Sequence, residues 1–211
     1  MTNFIPLFPL GIVIYPTEKL HLHIFEPRYK QLIRECFDGK KPFGIPTVIN
    51  NRLQDMGTLV EVKEIVQEYD NGELDINTQG ISVFRTLEVI RQVPEKLYSG
   101  AIVNYPENHM NDGSEKLMKT ILNGVREVHR LLNISKDFKK PDEQLNSYDV
   151  AHHMGLSVEE EYEFLGLMRE RQRQEYLKRH LKKVLPLLME MEQLKEKVKL
   201  NGHFRIYHLW I

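Results

Sequence analysis

The amino-acid sequence predicts an α+β fold, with an antiparallel, β-rich half first and a helical half after it. Three observations predict it. Short apolar or alternating runs separated by Gly, Pro and Asn fill the chain up to residue 105. Residues 106–113 then turn polar and turn-forming, and beyond them apolar side chains recur at the three- and four-residue spacing of helix faces.

In the first half, residues 11–15 between Pro9 and Pro16 read as a short buried strand. Residues 20–25 alternate, which sets Leu20, Leu22 and Ile24 on one face of a strand and His21, His23 and Phe25 on the other. Pro27 suits the first position of a helix carrying Tyr29, Leu32, Ile33, Cys36 and Phe37 on one side, with Gly39 as a stop. Strands follow over 43–49 and 58–67, and Asp70-Asn71-Gly72 predicts a type I′ hairpin turn. Strands over 74–78, 82–90 and 97–105, punctuated by Gly80 and Pro94, complete an antiparallel, barrel-like sheet.

In the second half, Leu117, Ile121, Leu122, Val125, Val128, Leu131 and Leu132 form one helical stripe, capped by Asp112 or Ser114. Ser147 caps a short helix ending at Gly155, and Ser157 with Glu160 has capping-box spacing. A long helix from about residue 171 turns Tyr176, Leu177, His180, Leu181, Val184, Leu185 and Leu188 inward, with a kink expected at Pro186 and a stop at Asn201-Gly202. The expected organisation is a β-rich subdomain over 1–110, a helical subdomain over 111–202 and an apolar tail over 203–211. That tail, with Phe204, Ile206, Leu209 and Trp210, is expected to dock on its own barrel or on a second copy, giving a homo-oligomer.

Formal net charge is −1, so the molecule as a whole has no electrostatic bias toward nucleic acid or anionic membrane. Cys36 is the single cysteine, which forbids an intramolecular disulfide and fits a reducing, cytoplasmic compartment. The N-terminus carries no basic leader, and residues 7–15 are too short to span a bilayer, so no membrane association is expected.

The segment Ile5-Pro6-Leu7-Phe8-Pro9-Leu10-Gly11-Ile12-Val13-Ile14-Tyr15-Pro16 resembles the opening of the Lon N-terminal, substrate-binding domain family. Ile24-Phe25-Glu26-Pro27-Arg28-Tyr29 is similar to the form found in its stand-alone bacterial members. Gly57-Thr58-Leu59-Val60, Asp70-Asn71-Gly72-Glu73-Leu74 and Gln79-Gly80-Ile81-Ser82-Val83-Phe84-Arg85 are similar to its hairpin and its glycine-containing strand. Residues 149–165 and 176–191 are similar to its helical bundle, so the resemblance spans about residues 4–200. It implies a PUA-like β pseudo-barrel followed by a C-terminal helical bundle, and a role in recognising polypeptide substrates.

No Gly-x-x-x-x-Gly-Lys-Ser/Thr string occurs. Gly39-Lys40 has Arg34 in place of the first glycine and Lys41 in place of the hydroxyl residue, so neither ATP hydrolysis nor proteolysis is expected, and no cofactor. His21 and His23, with Glu26 or Cys36, offer too few ligands for zinc and read as a partly exposed strand face. His152-His153 reads as a helix end. Residues 169–183 hold seven cations against Glu170 and Glu175. This is the pattern of a solvated helix face, with nucleic-acid binding as the alternative reading, disfavoured because base-stacking aromatics are not interleaved. Phe25, Glu26, Arg28 and Tyr29, at a helix start beside a barrel mouth, are the candidate binding residues for unfolded or extended polypeptide.

Overall fold

The structure is a computed structural model that describes residues 3–135 and 138–203, the last three by backbone alone. Those residues form two compact units: 3–111 with 156–169, and 112–155 with 170–203.

The first unit contains β1 (Phe4–Pro6), β2 (Lys19–Ile24), α1 (Pro27–Asp38), β3 (Phe43–Ile49), β4 (Arg52–Glu68), β5 (Leu74–Ile90), β6 (Gly100–Asn104) and α4 (Val158–Leu165). The sheet is antiparallel in the order β1-β6-β5-β4-β3, and β2 pairs with the first part of β5, from Lys19 opposite Gln79 to Ile24 opposite Leu74. Register shifts between Leu59 and Val60, Val62 and Glu64, and Ile65 and Gln67 bend the long β4–β5 ribbon. The sheet does not close through a continuous ladder. Instead the segment 7–10 laces its ends together: Leu7 N donates to Ser99 O at 2.8 Å, Phe8 N to Gly44 O at 2.8 Å, and Val48 N to Leu10 O at 2.7 Å.

Helix α1 starts with Pro27 and buries Tyr29, Leu32, Ile33 and Cys36 against Phe8, Ile24, Phe43, Leu74 and Ile76. Leu32 and Ile33 have no solvent exposure, worth about 1.5–3 kcal/mol each. Phe37, expected on the same face, lies outward and is partly exposed. Helix α4 packs with this unit. Its Tyr162 hydroxyl accepts from Met56 N at 3.2 Å, and Phe164 meets the edge of Tyr15 at 5.5 Å.

Two local expectations change. The segment 11–15 is buried at Val13, Ile14 and Tyr15 but is not a strand. Prolines on either side withhold donors, and the backbone bonds to side chains instead: Ile14 O accepts from Thr58 Oγ1, and Tyr15 N donates to Glu18 Oε2 at 2.8 Å. The type I′ turn falls at Asn50-Asn51, where both residues have positive φ (50° and 59°). At 70–72 only Gly72 does (φ 76°). Gly72 N donates to Tyr69 O at 2.8 Å and Tyr69 N to Glu73 O at 2.9 Å, which is a type I turn followed by a left-handed residue.

The second unit contains α2 (Glu115–Leu132), a 3₁₀ turn (Asp142–Gln144), α3 (Ser147–Ala151) and α5 (Glu170–His203). Both candidate cap residues of α2 act, on different helices. Ser114 Oγ accepts from Leu117 N at 3.4 Å and caps α2, while Asp112 Oδ1 accepts from Arg171 N at 3.4 Å in the first turn of α5. Asn146, one residue before Ser147, caps α3 with Asp149 in a capping box. The Ser157–Glu160 box on α4 is present. Helices α2 and α5 run side by side and pack tightly at Gly124, where an added Cβ would lie 2.6 Å from Leu181 Cδ1. Helix α5 contains Pro186 and passes through Asn201 and Gly202, the expected stop, to His203. The expected docked tail lies, beyond that residue, outside the described ones. Among the described residues no helix is long and apolar enough to cross a membrane.

Candidate functional site

Strand β2 carries the chemistry-bearing side chains because its two-residue period sorts them. Leu20, Leu22 and Ile24 join the core, and His21, His23 and then Phe25 stand on the outer face. Phe25 is 59% exposed. Among the described strands, β2 pairs with β5 alone.

The hairpin between β4 and β5 brings acidic and aromatic groups to that face. His23 Nδ1 lies 2.7 Å from Asp75 Oδ1, and its Nε2 lies 3.3 Å from Glu73 Oε2. Tyr69 Oη donates to Asp75 Oδ2 at 2.6 Å and presents its ring edge-on to His23 at 5.9 Å. On the other side, Phe25 stacks on His23 with ring centroids 6.3 Å apart. The hydrogen bond to Asp75 is the main reason the His23 pKa is raised, with the Asp75 and Glu73 charges adding to it against desolvation. Asp75 is correspondingly lowered, first by the Tyr69 hydroxyl and then by His23.

Between these strands lies an open groove of about 450 Å³, lined by His21, His23, Val66, Asp75 and Asn77 among others. Val66 is 56% exposed and gives the groove an apolar wall. Lys30 Nζ donates to Asn71 O at 3.0 Å and ties α1 to the hairpin rim.

The four sequence-predicted residues divide at this surface. Phe25, Glu26 and Arg28 are exposed or half-exposed, whereas Tyr29 is 9% exposed and packs edge-on against Phe8 at 4.2 Å. Arg28 bonds Glu26 Oε2 through Nε at 2.8 Å and Nη2 at 2.7 Å, and its guanidinium sits 4.5 Å from the Tyr29 ring centre. Glu26 occupies the N-cap position of α1 without a side-chain cap bond, its carboxylate being held by Arg28 instead. Tyr29 therefore supports Arg28 from below, and burial raises its pKa.

Cys36 is buried and its thiol is pushed up to about 12, chiefly by desolvation and then by the Glu35 charge, which keeps it protonated. In the second unit His153 Nδ1 lies 3.3 Å from His129 Nε2, and His152 is the C-cap of α3. Among the described residues no three His, Cys, Asp or Glu side chains converge as a metal-ligand set. Sequence reading missed Val66, Tyr69, Glu73 and Asp75. Alternation along β5 marks Asp75 and Asn77 as outward, but only the pairing of His23 with Asp75, 52 positions apart, joins them to β2.

A family model described as the ATP-dependent protease La (LON) substrate-binding domain matches residues 5–183 of this chain. The fold is similar to the crystal structure of a Lon N-terminal domain protein from Xanthomonas campestris, with a TM-score of 0.63 and 22% identity over 83% of this chain and 96% of that one. It is also similar to the N-terminal domain of the Mycobacterium avium complex Lon protease, with a TM-score of 0.59 and 11% identity over 85% of this chain and 98% of that one.

Proposed function

The chain belongs to the LON substrate-binding domain family, and from that membership we propose that it recognises extended polypeptide without itself cutting it. The observation that carries the reading is the outer face of β2, where a strand pairing on one side only runs beside an open groove and the exposed Phe25. An extended segment aligned with β2 would pair its backbone along that edge and send alternate side chains over the outer face, beside His21, His23 and Phe25. Glu26 and Arg28, already paired to each other, border the site, and the buried Tyr29 holds Arg28 in place.

Such a contact is small and has two exposed aromatic side chains, Phe25 and Tyr69, to anchor it. It must also offset the ordering of a flexible chain, which gives a dissociation constant on the order of micromolar. The cytoplasm is the proposed compartment, where Cys36 remains a thiol. The sequence of the chain supplies no phosphate-binding loop, so the purified protein is expected to hydrolyse no ATP and to cleave no casein.

The test is titration of a fluorescent, reduced and unfolded protein into wild type, Phe25→Ala and Arg28→Ala, each first checked for native circular dichroism. Phe25→Ala is expected to weaken binding about tenfold, the equivalent of about 1.4 kcal/mol. Failure of wild type to bind a broad panel of unfolded chains, or equal binding by folded Phe25→Ala, overturns the proposal. Tyr29→Ala is a poor probe because it opens the core beside Phe8.

A further inference from the structure

The far end of α5 carries a row of apolar side chains that no described residue covers. Helix α2 flanks α5 from Gln174, whose Oε1 accepts from Ser114 N at 2.8 Å, to Glu192, which Arg130 Nη2 reaches at 3.4 Å. There α2 ends, at Leu132, while α5 continues to His203, about 16 Å farther at 1.5 Å per residue. Leu187, Met191, Leu194 and Val198 are 59%, 55%, 62% and 63% exposed.

Their spacing is four, three and four residues. At 100° per residue they fall within an arc of about 60°, about 90° round the helix from the buried Leu177 and Leu181 that face α2. This is the spacing of a coiled-coil a/d seam, with Met191 and Val198 at a, and Leu187 and Leu194 at d. The flanking charges suit a parallel pair of such seams. In a parallel pair each g residue faces the e residue of the following heptad on the other helix, which sets Glu190 of one copy against Lys195 of the other, twice. Lys183 and Lys197, the neighbouring g residues, meet Leu188 and Gly202 in that register, so no like charges oppose.

We infer that this seam is a docking surface for a second copy of this chain, paired in parallel through Leu187, Met191, Leu194 and Val198. The seam lies on α5 within the described residues and is separate from the proposed polypeptide site on β2, so the two proposals fail independently.

Sedimentation equilibrium of the full chain over a wide concentration series tests it. The wild-type mass is expected to rise with concentration from 25.0 kDa toward twice that value, and Leu194→Glu is expected to hold at 25.0 kDa throughout. Glu190→Lys and Lys195→Glu each set like charges face to face twice and are expected to lose the dimer. An equimolar mixture of the two restores opposite charges at both contacts and regains it. Circular dichroism establishes that each variant keeps its helix content. A wild type that stays at 25.0 kDa, a Leu194→Glu variant that dimerises like wild type, or a mixture no heavier than its separate components overturns the inference. The second outcome is the one produced by association through another surface, and the third by an antiparallel seam.

Discussion

Arg173, with no solvent exposure, donates from Nη2 to Glu170 Oε2 at 3.0 Å, one turn earlier on the same helix. The Glu170 carboxylate also accepts from Ser147 N at 2.9 Å and Ser147 Oγ at 2.7 Å, while the guanidinium lies 4.2 Å from the Tyr148 ring centre. The pair thus fastens α3 to α5 with its charges satisfied on both sides. Removing one partner strands the other charge in the interior. Glu170→Ala is therefore expected to lower stability by about 3–5 kcal/mol, read as the shift in urea midpoint. The double variant Glu170→Leu/Arg173→Met is expected to lose less than the sum of the single losses, and simple additivity would deny the coupling.

This pair also marks where sequence reading stops. Residues 169–183 read as a solvated basic face, which describes the exposed Arg171, Arg179, Lys182 and Lys183. Arg173 is different, and its position carried the signal: it precedes Leu177 by four residues and His180 by seven, on the inward stripe. Alternation in β2 placed His21, His23 and Phe25 correctly because it is local. The acidic half of the candidate site arrives through a β2–β5 pairing that no local period encodes. Turn type was equally elusive, since Asn50-Asn51 and Asp70-Asn71-Gly72 both suit a left-handed backbone and the flanking register decides between turn forms.

Gly80 gives a second prediction. Strand β5 continues through it beside a bulge at Ile81, and an added Cβ would lie 2.3 Å from Tyr15 O, with Gly80 N donating to Glu18 O at 2.8 Å. Neither backbone has a flexible end that could yield. Gly80→Ala is expected to cost roughly 1–3 kcal/mol, by forcing the 15–18 turn off the sheet. An unchanged melting temperature would show that the turn moves freely.

The buried thiol gives a third. With its pKa near 12, Cys36 holds far less thiolate at pH 8 than a free cysteine does. Reaction with a chromogenic disulfide is expected to be more than about a hundredfold slower in the folded chain than in urea. Comparable rates in both states would mean that α1 opens readily.

The last prediction is the pH dependence of the outer face of β2. His23 has a raised pKa because its ring bonds Asp75 and lies beside Glu73, so the folded state binds its proton more tightly than the unfolded chain does. A group raised in the folded state contributes stability that is fully present below its unfolded pKa, near 6.5, and lost as pH rises through the folded value. Asp75 works in the opposite sense. Lowered by Tyr69 and His23, it contributes above its unfolded pKa, near 3.8, and loses that contribution as pH falls through the folded value. The pair therefore stabilises most in the acidic window between the two unfolded values, and the advantage fades toward alkaline pH. His23→Gln is expected to be less stable than wild type near pH 5 and close to it above pH 8, because Gln replaces the imidazolium but keeps a donor. The His23 half of the argument has a direct check in the ring proton shifts, whose midpoint is expected above 6.5 in wild type and lower in Asp75→Asn. A midpoint unmoved by Asp75→Asn would mean that the contact seen at 2.7 Å does not hold the proton.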